Sequence, residues 1–115
     1  MTLPRGRSTR KVAAGPKIIL REAEEQALGV AFLRRIGFKV GVTSQRRASS
    51  VTAGLPDVIA VGRGITLFWE AKAAGGVLSD DQKAWGAACK ESNIPWVHGP
   101  MGALMAYLRE LKVMP

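Results

Sequence analysis

Residues 55–71 read LPDVIAVGRGITLFWEA, two apolar runs on either side of Gly62-Arg63-Gly64. Both runs are rich in β-branched or aromatic residues, and Gly-Arg-Gly has turn chemistry, so the segment predicts a hairpin. Its strands cover 55–61 and 65–73. Pro56 fits only at a strand start, because proline has no N–H to give to a ladder. A sheet therefore forms the centre of the fold, and the remaining segments must pack on it.

Those segments alternate between helical and strand patterns. EAEEQALGVAFLRRI, 22–36, predicts a helix with Ala23, Ala27, Val30 and Leu33 inward and Ala31 and Phe32 widening the stripe. Its acidic first turn and basic last turn suit the helix dipole, and Gly37 stops it. FKVGVTS, 38–44, is a strand, and QRRASSVTAG, 45–54, is a polar basic loop. SDDQKAWGAACKESN, 79–93, opens with a Ser79–Gln82 capping box; Ala84, Trp85, Ala88 and Cys89 form its apolar face. IPWVHG, 94–99, is a last strand. PMGALMAYLRELKV, 100–113, begins on a helix-starting proline and lines Met101, Leu104, Leu108 and Leu111 inward. The order α-β-β-β-α-β-α implies an α/β domain, a mixed β-sheet flanked by helices.

At 115 residues the chain suits one domain, and its single Cys and single His rule out both an internal disulfide and a Cys/His metal centre. Cys89 reads as a small buried hydrophobe. The formal charge of +8 favours a polyanionic partner such as nucleic acid. Residues 1–21 hold six of the basic residues and no acidic one. Residues 1–16 read as a flexible basic N-terminal arm, leaving 17–115 as the folded domain. No segment is apolar enough for a membrane span, so the cytoplasm is the expected location, with nucleoid association in a bacterium.

The strand from Ile65 ends in Glu70-Ala71-Lys72. Residues two apart on a strand share a face, so an acid and a base lie together at the sheet's end. Asp57, just after Pro56, starts the adjoining strand and converges on Glu70 if the hairpin pairs. Two facing carboxylates repel unless a cation joins them, and oxygen ligands favour Mg²⁺ or Mn²⁺. Such a site can stabilise a phosphoryl transition state, with Lys72 neutralising charge or holding water. The plain alternative is a solvated Glu-x-Lys surface pair.

GLPDVIAVGRGITLFWEAKAAGGVLSDDQKAW resembles the VRR-NUC domain, a branch of the PD-(D/E)xK nuclease superfamily, known from stand-alone phage and bacterial proteins. The matching pieces are Gly54-Leu55-Pro56-Asp57, Glu70-Ala71-Lys72, Gly75-Gly76 and Gln82, with Glu22 and Gln26 in the preceding helix. The likeness spans about residues 20–111. It implies a restriction-endonuclease-like core and a metal-dependent endonuclease acting on DNA phosphodiesters. Asp57, Glu70 and the Ala71 carbonyl would bind the metal, Lys72 would be the catalytic lysine, and Gln82 would support the site. Glu22 matches the first-helix acid that helps bind the metal or its water. Glu25 is its rival, because EAEE leaves the register open, and Glu24 is a third choice on another face.

The resemblance also implies a homodimer acting on branched DNA such as four-way junctions, with Ser44, Gln45, Arg46 and Arg47 touching the substrate. Lys17, Arg21, Arg34, Arg35, Arg63 and Lys83 are candidates to extend the basic surface. Trp69, Trp85 and Trp96 read as core or interface anchors, and His98 as structural. The competing reading is a nucleic-acid-binding module that keeps the fold without catalysis.

Overall fold

A computed structural model describes residues 20–43 and 52–114. Its strands are β1 (Lys39–Val42), β2 (Val58–Gly62), β3 (Ile65–Ala71) and β4 (Trp96–Gly99), lying side by side in that order. Its helices are α1 (Glu22–Arg35), α2 (Asp80–Glu91) and α3 (Met101–Glu110). β1–β2 and β2–β3 pair antiparallel, whereas β3–β4 pair in parallel, with α2 in the connection. The described chain is thus a compact α/β fold with a mixed four-stranded sheet and three helices.

Strand alternation decides what the sheet buries. Val58 and Ala60 on β2 and Leu67, Trp69 and Ala71 on β3 share one face and are fully buried. Leu33 of α1 and Leu104 and Leu108 of α3 belong to the same core. Each large aliphatic side chain here contributes roughly 2–5 kcal/mol relative to alanine. The Trp69 ring lies against Gly29 of α1, where a Cβ would sit 2.2 Å from the indole. Its Nε1–H donates to the Gly99 carbonyl at 3.0 Å, satisfying its one buried donor.

α1 and α2 bury part of the faces read in the sequence, Val30 and Leu33 on one and Cys89 on the other, but not their alanines. α1 buries Gly29, Val30 and Leu33 and exposes Ala23 and Ala27. α2 buries Gly86 and Cys89 and exposes Ala84 and Ala88. The cause is common to both: a glycine receives a tryptophan ring. Gly86 meets Trp96, where a Cβ would lie 2.7 Å from the ring. On α3 the expected pattern holds, with Leu104 and Leu108 buried and Met101 and Leu111 half-buried.

β2 begins at Val58, three residues later than expected, because Pro56 cannot donate to a neighbour. The β2–β3 turn places Arg63 in the left-handed region, φ 49°. Its guanidinium donates to the Ile36 carbonyl at 3.1 Å and to the Val113 carbonyl. Arg63 therefore ties the hairpin to the ends of α1 and α3. The arm, Lys17 and the residues Ser44, Gln45, Arg46 and Arg47 lie outside the described residues.

Candidate active site

The β2–β3 ladder ends at the Val58–Trp69 pair. Asp57 and Glu70 are the next residues outward, so they stand opposite each other on the face away from Trp69. Three contacts hold the Pro56-Asp57 segment there. The Thr43 N–H donates to the Asp57 carbonyl at 2.8 Å, and the Thr43 hydroxyl donates to the Pro56 carbonyl at 2.6 Å. Gly54, at φ 80°, lies against the first turn of α2, where a Cβ would come within 2.4 Å of the Asp81 backbone. The glycine of the Gly-x-Pro-Asp stretch thus lets the acid-bearing loop touch α2.

α2 reaches the same place through Gln82. Ser79 caps the helix by accepting from the Gln82 N–H at 3.1 Å, and the Gln82 side-chain carbonyl accepts from the Ser79 N–H at 2.8 Å. This reciprocal cap aims the Gln82 amide, whose Nε2 donates to Glu70 Oε2 at 2.9 Å. The capping and supporting roles are filled by one side chain.

Glu70 is only 1% exposed. Its other oxygen, Oε1, and Asp57 Oδ2 are both buried and have no hydrogen-bond partner among the described residues. Burial above all, helped by the facing Asp57 carboxyl and opposed by the Lys72 charge, pushes the Glu70 carboxyl up to about 8. Protonation of Glu70 relieves the repulsion. A cation would do the same with both acids ionised.

Lys72 lies two residues beyond Glu70, its side chain 14% exposed, with Nζ 3.9 Å from Glu22 Oε1. The Gly75-Gly76 turn folds against it: the Gly76 N–H bonds the Ala73 carbonyl at 2.9 Å, and a Cβ on Gly76 would press on the lysine stem. Glu70 turns to Asp57 and α2, and Lys72 is held beside them at the sheet's end.

The donor set fits a hard divalent cation, since it offers two orphaned carboxylate oxygens. The Ala71 carbonyl is a reasonable third donor. Ala71 lies two residues beyond the last β2–β3 pair, where its counterpart is Pro56, and proline offers no N–H to occupy it. Among the described residues, no three His, Cys, Asp or Glu side chains cluster as a metal-binding group. A cation here would complete its shell with water and phosphate oxygens, as Mg²⁺ commonly does.

The sequence candidates separate clearly. Asp57, Glu70, Lys72, Gln82 and Glu22 gather at one end of the sheet. Glu25 is elsewhere engaged: its Oε1 accepts from the Met101 N–H at 3.0 Å and caps α3, which has no cap of its own because Pro100 occupies that position. Glu24 bonds the Arg21 N–H at 2.8 Å and pairs with its side chain. His98, read as structural, is exposed, and its register partner on β3 is Glu70. Trp69 is core, but Trp85 and Trp96 are only half-buried. Cys89 is buried, which raises its thiol pKa and suits a packing role.

Two site-forming features lie outside the sequence motifs, Thr43 and the Gly54–Asp81 contact. The sequence signal for Thr43 is its place at the end of the β1 pattern, opposite Asp57 once β1 and β2 pair. No family model, characterised protein or solved structure matches the chain.

Proposed function

We propose that this chain is a Mg²⁺- or Mn²⁺-dependent endonuclease that hydrolyses DNA phosphodiesters, with branched DNA such as a four-way junction as its substrate. The observation that carries the reading is the pairing of buried Glu70 with half-buried Asp57, each of which has a buried oxygen, Oε1 and Oδ2, without a hydrogen-bond partner among the described residues. A chain that merely binds DNA has no use for two such carboxylates, and burying them is costly unless a cation joins them. The restriction-endonuclease-like core implied by the VRR-NUC resemblance places these roles on the same residues.

Asp57, Glu70 and the Ala71 carbonyl are the ligands, and a divalent cation bound there supplies Lewis-acid charge to the scissile phosphate. Gln82 holds Glu70 Oε2, which leaves Oε1 turned to Asp57. The Lys72 ammonium positions the attacking water and offsets negative charge developing on the phosphate. Glu22 holds Lys72 and lies close enough to influence Glu70. The charge of +8 attracts the DNA backbone. A homodimer would set two such sites against two opposed strands.

The test is a labelled panel of four-way junction, flap, nicked duplex, linear duplex and single strand, incubated with Mg²⁺, Mn²⁺ or EDTA beside a Glu70→Ala control. Metal-dependent cutting that disappears in the control supports the reading. Binding without cutting by folded protein under every condition would favour a non-catalytic binding module.

A further inference from the structure

A second feature lies beside the acid pair. A groove of about 510 Å³ is lined by Lys83, Gly86 and Lys90 of α2, Ile94 just before β4, Trp96 at its start, and Tyr107 of α3. Its volume suits a small-molecule-sized group. The walls are mainly apolar and aromatic, and both lysines are exposed. The groove lies at β4, the edge strand of the sheet.

The register ties the groove to the acids. Trp96 pairs with Phe68 and His98 pairs with Glu70 across the parallel β3–β4 ladder. Trp96 is thus one strand over and two residues back from Glu70, roughly 8 Å away by strand geometry. The His98 ring leans on Trp96, centroids 5.2 Å apart at 36°, and carries the aromatic surface from the groove toward Glu70. Gly86 lets α2 approach the Trp96 ring and adds no side chain of its own to the groove.

We propose that this groove holds one unpaired nucleotide next to the acid pair, its base against Trp96 and Tyr107 and its phosphates on Lys83 and Lys90. Aromatic side chains stack on any base, and lysines flanking an apolar slot match the phosphates that border a base. The inference rests on the nuclease reading and narrows its substrate to branched DNA with an unpaired nucleotide beside the cut, such as a flap or a junction opened at its centre. His98 is the side chain placed between the stacked base and the scissile phosphate.

The experiment uses the full chain in EDTA, so that nothing is cut. Fluorescence anisotropy compares a labelled single strand, an abasic strand of the same length and a duplex. The base-bearing strand should bind about tenfold tighter than the abasic one. Tyr107→Ala should erase that preference. Lys83→Gln with Lys90→Gln should lower the single-strand salt slope by about 1.4 and leave duplex binding unchanged. Circular dichroism checks folding, and the lysine pair is exposed, so this arm stands even if Tyr107→Ala unfolds. Equal affinity for base-bearing and abasic strands, or equal weakening of strand and duplex in the lysine variant, would overturn the groove. Metal-dependent cutting that persists in either of those cases would leave the nuclease reading standing, whereas no binding to any DNA would overturn both.

Discussion

Gln82 Nε2 donates to Glu70 Oε2 at 2.9 Å while the same side chain closes the cap of α2 on Ser79. A helix start and a buried acid are therefore one mechanical unit. Gln82→Ala should cost about 1 kcal/mol of stability through the lost cap. It should also lower Mn²⁺ affinity, since Glu70 loses its orienting donor. Ser79→Ala should show the stability loss with a smaller effect on the metal. Urea denaturation and a Mn²⁺ titration on both variants separate the two roles.

The acid pair gives metal-free stability a definite pH dependence. Glu70 releases its proton at about 8 in the folded chain, against an ordinary value of 4.5. Between these values the folded state holds more protons than the unfolded one. Stability in EDTA should therefore fall as pH rises through this window, with the full penalty present above about pH 8. Glu70→Gln should flatten that slope and be more stable than the parent at pH 8. Melting temperatures across pH 5–9 check this; a wild-type curve that rises toward pH 8 by the contribution of this pair would contradict it.

Gly54 and Gly64 both have left-handed backbones, φ 80° and 85°, but only Gly54 faces a neighbour that a Cβ would strike. Gly64→Ala should cost about 1 kcal/mol, the price of the conformation alone. Gly54→Ala should cost more than about 2 kcal/mol and weaken metal binding, because Asp57 sits on the displaced loop. Comparing denaturation midpoints and Mn²⁺ affinities of the two variants tests the distinction.

The first-helix acids also separate. Glu25→Ala removes the cap of α3 and should lower stability by about 1 kcal/mol with metal affinity unchanged. Glu22→Gln frees Lys72 from its ion pair and should lower cleavage with little change in stability, since the Glu22 side chain is half-exposed. A reversed pattern would assign the first-helix acid to Glu25.

Local chemistry made much of this molecule legible in its sequence. The hairpin, the Ser79–Gln82 cap and the shared face of Glu70 and Lys72 follow from turn residues, capping residues and strand alternation. Helix orientation followed from hydrophobicity on α3 but only in part on α1 and α2. Gly29 and Gly86 add no apolar side chain to a pattern, yet each is where a helix meets an indole, so α1 and α2 turn toward their glycines rather than their alanines. Glu22 and Glu25 could not be told apart by helical spacing, because both lie on one face. Only tertiary contacts, with Lys72 for one and the Met101 N–H for the other, separate them. The exposure of His98 could not be read either: a strand position shows which face a residue takes, not whether a helix covers it.

The central claim is that Asp57 and Glu70 bind a divalent cation, and calorimetric titration with Mn²⁺ near pH 7 tests it without substrate. The wild-type chain should bind one ion per chain and release protons on binding, seen as a heat that changes with the buffer. Asp57→Asn and Glu70→Gln, if folded, should each lose that binding. No Mn²⁺ binding by folded wild-type protein, or equal binding by both variants, would contradict the account.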